Sequence, residues 1–245
     1  MGELTVTIIG CGDAFTSGGQ LHTCFSIKAP HTNLLIDCGA TAYYGIKKQG
    51  IKIDDIDTIV ISHFHGDHYG GVPFLLVEEA VRNREKPLTI ISPPTGKERI
   101  TRLLDQLYPE SNVLNKLNLI FKNYRIDGVL QADHLEIAAF PVEHAVDTLP
   151  HGLRLGVAGK IISFTGDTGW TPMLIELARD ADLFICECNY YHSEVKGHMN
   201  YETLLVYDDQ LLYKQLLLTH LGDEMIRHRD QIRHPCAHDG LNVVL

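Results

Sequence analysis

Long apolar runs are missing from this chain. No stretch reaches the roughly 18 residues that a bilayer-spanning helix needs, so a membrane-embedded protein is not expected. The opening Met1-Gly2-Glu3-Leu4-Thr5 lacks both the basic start and the apolar segment of an export signal, and a cytoplasmic protein is expected. No Cys-x-x-Cys pair occurs. The six cysteines, Cys11, Cys24, Cys38, Cys186, Cys188 and Cys236, are scattered and read as reduced thiols. Positive charge is also scarce: 21 Lys and Arg face 31 Asp and Glu, a formal net charge of −10. That balance argues against a non-specific nucleic-acid binder, which relies on a basic surface to release counterions. It leaves nucleic acid open as a substrate, because bound divalent cations would offset the charge locally. Repeats, low-complexity tracts and Pro/Gly/Ser-rich linkers are absent too.

What is present is a 245-residue chain, 44% hydrophobic, long enough for one α/β domain over residues 1–245 with a large core. Short β-like runs alternate with helical patterns. Strands are expected at 4–9, 24–28, 33–37, 56–62, 88–91, 117–121, 135–142, 152–157, 160–165, 182–186 and 215–219. Helices are expected at 72–83, 96–107, 171–179 and 201–213, the third capped by Thr171 with Pro172 in its first turn. Two β-rich halves with helices outside suit a layered α/β sandwich.

The 14 histidines are the unusual feature. Four ligand-type residues lie within six positions of Ser62-His63-Phe64-His65-Gly66-Asp67-His68-Tyr69-Gly70-Gly71, after a buried strand and before a helix. Ligands of open α/β proteins collect at the carboxyl ends of strands. His63 and His65, two apart in an extended segment, point the same way. Gly66 would let the backbone turn and offer Asp67 and His68 as a second pair. Imidazoles with a carboxylate suit Zn²⁺ or a similar divalent ion. A solvated histidine-rich turn is the competing reading, and this spacing after this strand disfavours it.

The segment resembles the H-x-H-x-D-H signature of the metallo-β-lactamase superfamily, and the similarity runs along nearly the whole chain. The resemblance implies a four-layer αβ/βα sandwich with a two-metal site in the cleft between its halves. It implies later ligands at His144 in Phe140-Pro141-Val142-Glu143-His144, Asp167 in Thr165-Gly166-Asp167-Thr168, and His220 in Leu217-Leu218-Thr219-His220. His63, His65 and His144 would hold one metal. Asp67, His68 and His220 would hold the other, with Asp167 bridging. Two nearby cations need such an anionic bridge, and a metal-bound hydroxide would be the nucleophile. Zinc is the first expectation for both ions, manganese or iron the alternatives.

Within the superfamily, Gly10-Cys11-Gly12-Asp13-Ala14, Leu35-Ile36-Asp37-Cys38-Gly39 and His238-Asp239-Gly240-Leu241 are similar to the ribonuclease Z and phosphodiesterase branch. That branch implies a phosphodiesterase acting on RNA or another small anionic phosphodiester, often as a homodimer. Cys186-Glu187-Cys188-Asn189 stands where the branch carries H-E-A-T, so its histidine is absent. Gly197-His198-Met199-Asn200 matches a later segment whose histidine aids departure of the leaving group, a role carried to His198. Asp67 would bind metal and orient the attacking water. Asp37 and Glu187 are candidates for orienting a ligand or touching substrate, and a turn-capping role competes for Asp37. Only 22 residues separate His144 from Asp167, with no basic cluster, so no tRNA-gripping arm is expected. Asp13 reads as a turn residue, Cys186 and Cys188 as buried apolar side chains, and Trp170, Tyr190 and Tyr191 as core or pocket lining. His22, His31, His151, His192, His228, His234 and His238 read as surface or substrate-edge residues, with His151 and His192 the nearest to the cleft. The alternative activity is an ester, lactone or thioester hydrolase with the same metals. A binding module without turnover is the third reading, disfavoured because all seven ligands are kept.

Overall fold

In a computed structural model describing residues 3–245, the chain folds into two sheets. The first half comprises β1 (Thr5–Gly10), β2 (Cys24–Ala29), β3 (Thr32–Ile36), α1 (Ala42–Lys48), β4 (Thr58–Val60), α2 (Gly66–Tyr69), α3 (Val72–Val81), β5 (Leu88–Ser92), α4 (Gly96–Leu107), α5 (Val113–Lys116) and β6 (Leu119–Asn123). The second comprises β7 (Val129–Ala132), β8 (Leu135–Pro141), β9 (His151–Val157), β10 (Lys160–Phe164), α6 (Met173–Ala178), β11 (Leu183–Glu187), α7 (Tyr201–Tyr207), β12 (Leu216–Thr219), α8 (Asp223–Arg227) and β13 (Asn242–Val244). Strand order is β13-β1-β2-β3-β4-β5-β6 in one sheet and β12-β11-β10-β9-β8-β7 in the other. The end of the chain therefore returns to the first sheet, where β13 pairs antiparallel with β1.

The inner faces of the sheets form one core. Ile8, Phe25, Ile36 and Val60 pack there with Ile137, Leu155, Phe164 and Ile185, and the Phe25 and Phe164 rings meet edge to face at 5.2 Å. The outer faces are covered by helices: Ile46, Leu75 and Ile100 pack with Leu35, Ile59 and Ile90, while Leu177, Leu204 and Met225 pack with Phe184 and Leu218. Each sheet is apolar on both sides, which explains the continuous apolar runs of its parallel strands. The result is the expected four-layer αβ/βα sandwich.

Several boundaries differ from the sequence reading for identifiable reasons. The β4 ladder covers only 58–60 of the expected 56–62: before it, Ile56 N–H closes a turn on the Ile53 carbonyl at 3.0 Å, and after it the Ser62 N–H turns to the Asp37 carboxylate at 2.7 Å. Thr171 does not cap α6: Pro172 holds that position, and Thr171 offers only its carbonyl to Leu174 N–H at 3.0 Å. Helix α7 stops at Tyr207 rather than 213, since Tyr213 bridges to Ala181 and its hydroxyl donates to Asp208 at 2.6 Å. Asn200 caps α7 instead, accepting from Thr203 N–H at 2.8 Å. The missed elements α1, α2, α5, α8, β7 and β13 are all short, and both missed strands are largely exposed, so their apolar pattern is weak.

Parallel pairing of β3 with β4, and of β10 with β11 and β12, brings the carboxyl ends of strands in each sheet to one edge. Strand β8 is antiparallel to β9, which is antiparallel to β10, so β8 also ends at that edge. Tyr124, buried after β6, donates its hydroxyl to the carbonyls of Ile61 and Ser62 at 2.8 and 3.0 Å, pinning the chain just before His63. Tyr124→Phe leaves those buried carbonyls short of a donor and should cost about 1–2 kcal/mol, read as a lowered urea midpoint at unchanged m-value.

Candidate metal centre

Every residue expected to ligate a metal lies just beyond one of those strand ends. His63 and His65 follow β4 in extended backbone, as expected, and their Nε2 and Nδ1 atoms stand 3.3 Å apart. Asp67 and His68 lie on α2, a single helical turn that places both side chains on the cluster. Gly66 is not what permits this. A Cβ there would meet nothing within 4 Å, whereas one at Gly39 would sit 2.1 Å from the Asp67 carbonyl oxygen. The close approach of backbone that holds α2 thus needs glycine at 39, not 66.

From the other sheet come His144 after β8, Asp167 after β10 and His220 after β12. His144 Nε2 lies 3.0 Å from His65 Nδ1, and the Asp167 Oδ2 atom lies 3.8 Å from both His63 Nε2 and His144 Nε2. On the other side, His68 Nε2 is 3.1 Å from Asp167 Oδ1 and 3.4 Å from Asp67 Oδ2. His220 Nε2 is 3.2 Å from Asp67 Oδ2 and 3.4 Å from Asp167 Oδ2. Two donor sets result, His63–His65–His144–Asp167 and Asp67–His68–Asp167–His220, each with its atoms within 4.8 Å of one another. Asp167 belongs to both.

The surrounding hydrogen bonds aim these rings. Asp37, fully buried, accepts from Ser62 N–H and Ser62 Oγ, each at 2.7 Å, and its Oδ2 lies 2.7 Å from His68 Nδ1. Burial pushes the Asp37 carboxyl up, restrained by the bonds from His68 and Ser62. His63 Nδ1 donates to Ser62 Oγ at 3.1 Å, and His144 Nδ1 donates to the Gly197 carbonyl at 2.8 Å. With Nδ1 protonated, the Nε2 atoms of His63 and His144 carry lone pairs, and both face His65 Nδ1, at 3.3 and 3.0 Å. Three ring nitrogens gathered this closely can converge on one cation. The second set carries the same sign: His68 Nε2 and Asp167 Oδ1 are both buried without a hydrogen-bond partner among the described residues, although only 3.1 Å apart. Both belong to the donor set Asp67–His68–Asp167–His220. The donor set therefore fits divalent cations by geometry and chemistry.

Asp37 and His220 both adopt left-handed backbone, at φ 57°. Non-glycine residues held there cost energy that the surroundings must offset, and such positions concentrate at functional sites.

His198 sits at the edge of the cluster, its ring 4.9 Å from His144 and stacked 5.7 Å from His220. Its Nδ1 is 2.5 Å from the Glu187 carboxylate, which also accepts from Met199 N–H at 2.8 Å. Burial pulls the imidazole down, and the Glu187 carboxylate more than offsets it, leaving His198 above its ordinary pKa. The link between Glu187 and His198 has no sequence signal, because strand β11 and the loop before α7 meet only in the fold.

Other residues fall as follows. Asp13 is a buried turn residue whose carboxylate accepts from Phe15 N–H, Ser17 N–H and Ser17 Oγ. Cys186 and Cys188 are buried in the core beneath α6 and α7. Trp170 stacks on Tyr207 at 3.8 Å, and Tyr190 lines the cleft. His192 reaches the cleft wall only through Glu224, at 3.0 Å, and His151 packs on Tyr124. His22, read as peripheral, is closer than expected: its Cβ packs on Gly39 beside the Asp67 backbone. The 22 residues between His144 and Asp167 are taken up mainly by β9 and β10.

The fold and the clustered donors define a metal-dependent hydrolase of the metallo-β-lactamase superfamily, ribonuclease Z-like in its sequence relationships. The family model described as "Anti-Pycsar protein Apyc1" matches residues 4–235, and the chain belongs to that family. Ribonuclease Z of Agathobacter rectalis is 29% identical over an alignment of 278 residues, covering 93% of this chain and 90% of that protein. Among solved structures, the metallo-β-lactamase fold protein YhfI from Bacillus subtilis superposes with a TM-score of 0.81 at 21% identity, covering all of both chains. The short form of human tRNase Z superposes at 0.75 and 20% identity, covering 98% of each. At these identities the two structures establish shared fold alone.

If Asp37 orients His68 toward a cation, Asp37→Asn should weaken divalent-metal affinity about 10–100-fold while preserving the fold, as measured by chelator competition.

Proposed function

We propose that this chain is a phosphodiesterase carrying two divalent cations, zinc first and manganese or iron next, and acting on RNA or a small phosphodiester. Residues 1–245 would work as one catalytic domain. The observation that carries the reading is the sharing of Asp167 by two donor sets, which suits two neighbouring cations that need an anion between them. The ribonuclease Z relative spanning 93% of the chain supports the phosphodiester class.

In this reading, His63, His65 and His144 hold one cation and Asp67, His68 and His220 the other, with Asp167 bridging. Bound divalent cations supply Lewis acidity toward phosphoryl oxygens and a means of making a nucleophile from water near neutral pH. Asp67 helps orient the attacking water with the oxygen not engaged in ligation. His198, kept protonated by Glu187, delivers a proton to the departing alkoxide through Nε2 as the P–O bond breaks. Asp37 fixes the His68 ring, so that its Nε2 does not swing from the cluster.

The cleft beside the cluster has a volume of about 670 Å³ and is lined by His65, Asp67, Asp167, His198 and His220 among others. That is the size of a small-ligand site, suited to one nucleotide rather than a duplex. Among the described residues no helix is long and apolar enough to cross a membrane. A homodimer and a cytoplasmic location belong to the same proposal.

Metal-loaded protein should cleave bis-(p-nitrophenyl) phosphate, short RNA or cyclic phosphodiesters. Inactivity on all three alongside turnover of lactones or thioesters would replace this reading with carbon-centred hydrolysis. His65→Ala should lose one equivalent of metal by elemental analysis and nearly all turnover. His198→Ala should keep its metal and lose about 10²–10⁴-fold in kcat.

A further inference from the structure

The lining of the cleft extends beyond the cluster to Asp13, Phe15, Tyr190, Asp223 and Arg227. Phe15 is 87% exposed, an apolar ring displayed in a catalytic cleft. A single exposed aromatic is ordinary on a protein surface, so exposure alone means little. The backbone that carries this one is fastened. Asp13 fastens the turn through Phe15 N–H at 3.1 Å and Ser17 N–H at 2.8 Å. Asp239 accepts from Leu21 N–H at 2.9 Å further along the same loop. The loop also packs on α8: a Cβ on Gly18 would stand 2.7 Å from Ile226 Cδ1, one residue before Arg227.

Of the cleft's carboxylates, only Asp223 has no hydrogen-bond or ion-pair partner among the described residues. Asp13 is committed to its turn, and Asp67 and Asp167 to the cluster. Glu224 accepts from Tyr191, His192 and Ser193 N–H groups and from Ser193 Oγ. Arg227 is the one Lys or Arg lining this cleft among the described residues. It is exposed and takes part in no ion pair among them. A flat apolar face and a free planar donor therefore stand in one cavity, on two elements packed together.

We propose that Phe15 is the stacking platform for the heterocyclic base of a nucleotide substrate, and that Arg227 donates to the carbonyl edge of that base. This rests on the phosphodiesterase reading above and names what selects its substrate. Base–aromatic stacking accepts any base, while a guanidinium favours one that presents acceptors.

The test uses metal-loaded protein with 2′,3′-cyclic GMP, 2′,3′-cyclic AMP, the dinucleotide GpG and base-free ribose 2′,3′-cyclic phosphate. Phe15→Ala should raise KM about tenfold for base-bearing substrates, with the loss in KM rather than kcat, and Phe15→Trp should restore it. The rise should be far smaller on the base-free compound. Arg227→Ala should erode the preference for guanosine over adenosine. A larger effect on GpG than on the cyclic compounds would mark an oligonucleotide as the natural source of the base, and the reverse a mononucleotide. Equal KM changes with and without the base, or none, would overturn the platform. If wild-type protein cleaves no phosphodiester, the phosphodiesterase reading falls by itself. Calorimetric binding of guanosine 3′-monophosphate then decides the platform: about tenfold weaker binding by Phe15→Ala sustains it, and equal binding removes it.

Discussion

The structure is organised around a cluster of imidazoles and carboxylates drawn from both sheets to one point. His63, His65 and His144 turn ring nitrogens toward one another at 3.0–3.3 Å, and His68 and Asp167 bury ligand atoms that find no hydrogen-bond partner among the described residues. Buried polar atoms left without a partner cost about 1–3 kcal/mol each, a cost that a bound cation would offset. Divalent cations would do so, and the surrounding architecture holds the donors in place for them.

That holding is done by groups outside the cluster. Asp37 orients His68 and ends β4 through Ser62, while Tyr124 pins the same segment from beneath. Gly39 allows the backbone of α2 to come close, and left-handed backbone at Asp37 and His220 completes the aim. Glu187 does for His198 what Asp37 does for His68: a buried carboxylate fixes a ring from behind. Much of the acid content in and around the cleft is thus spent on structure. Asp13 and Glu224 tie loops, which leaves the cleft less hostile to an anionic substrate than a net charge of −10 implies.

Legibility followed chain proximity. His63, His65, Asp67 and His68 stand within six residues after a buried strand, so spacing alone marked them. His144, Asp167 and His220 are each a lone residue in its segment, and only similarity to a known superfamily singled them out. The alternation of apolar runs gave most of the strands and three of the larger helices, because burial on both faces leaves a strong pattern. It failed for β7 and β13, which are short and largely exposed, and for the end of α7, where a tyrosine–aspartate bond and a strand bridge overrode helical spacing. Distant parts of the chain also decide the surroundings of Gly39, which holds α2 close where Gly66 was expected to act.

By itself the sequence determined a layered α/β chain with a metal-binding turn at a strand end, since periodicity and local ligand spacing are properties of neighbouring residues. The tertiary structure decided which distant carboxylate stands behind which imidazole, that Asp167 is common to both donor sets, and that Phe15 and Arg227 share a cleft. Those are relations between the two sheets and their loops. They exist only once the sandwich closes, because a hydrogen bond or a coordination sphere is set by distance in space and not by separation along the chain.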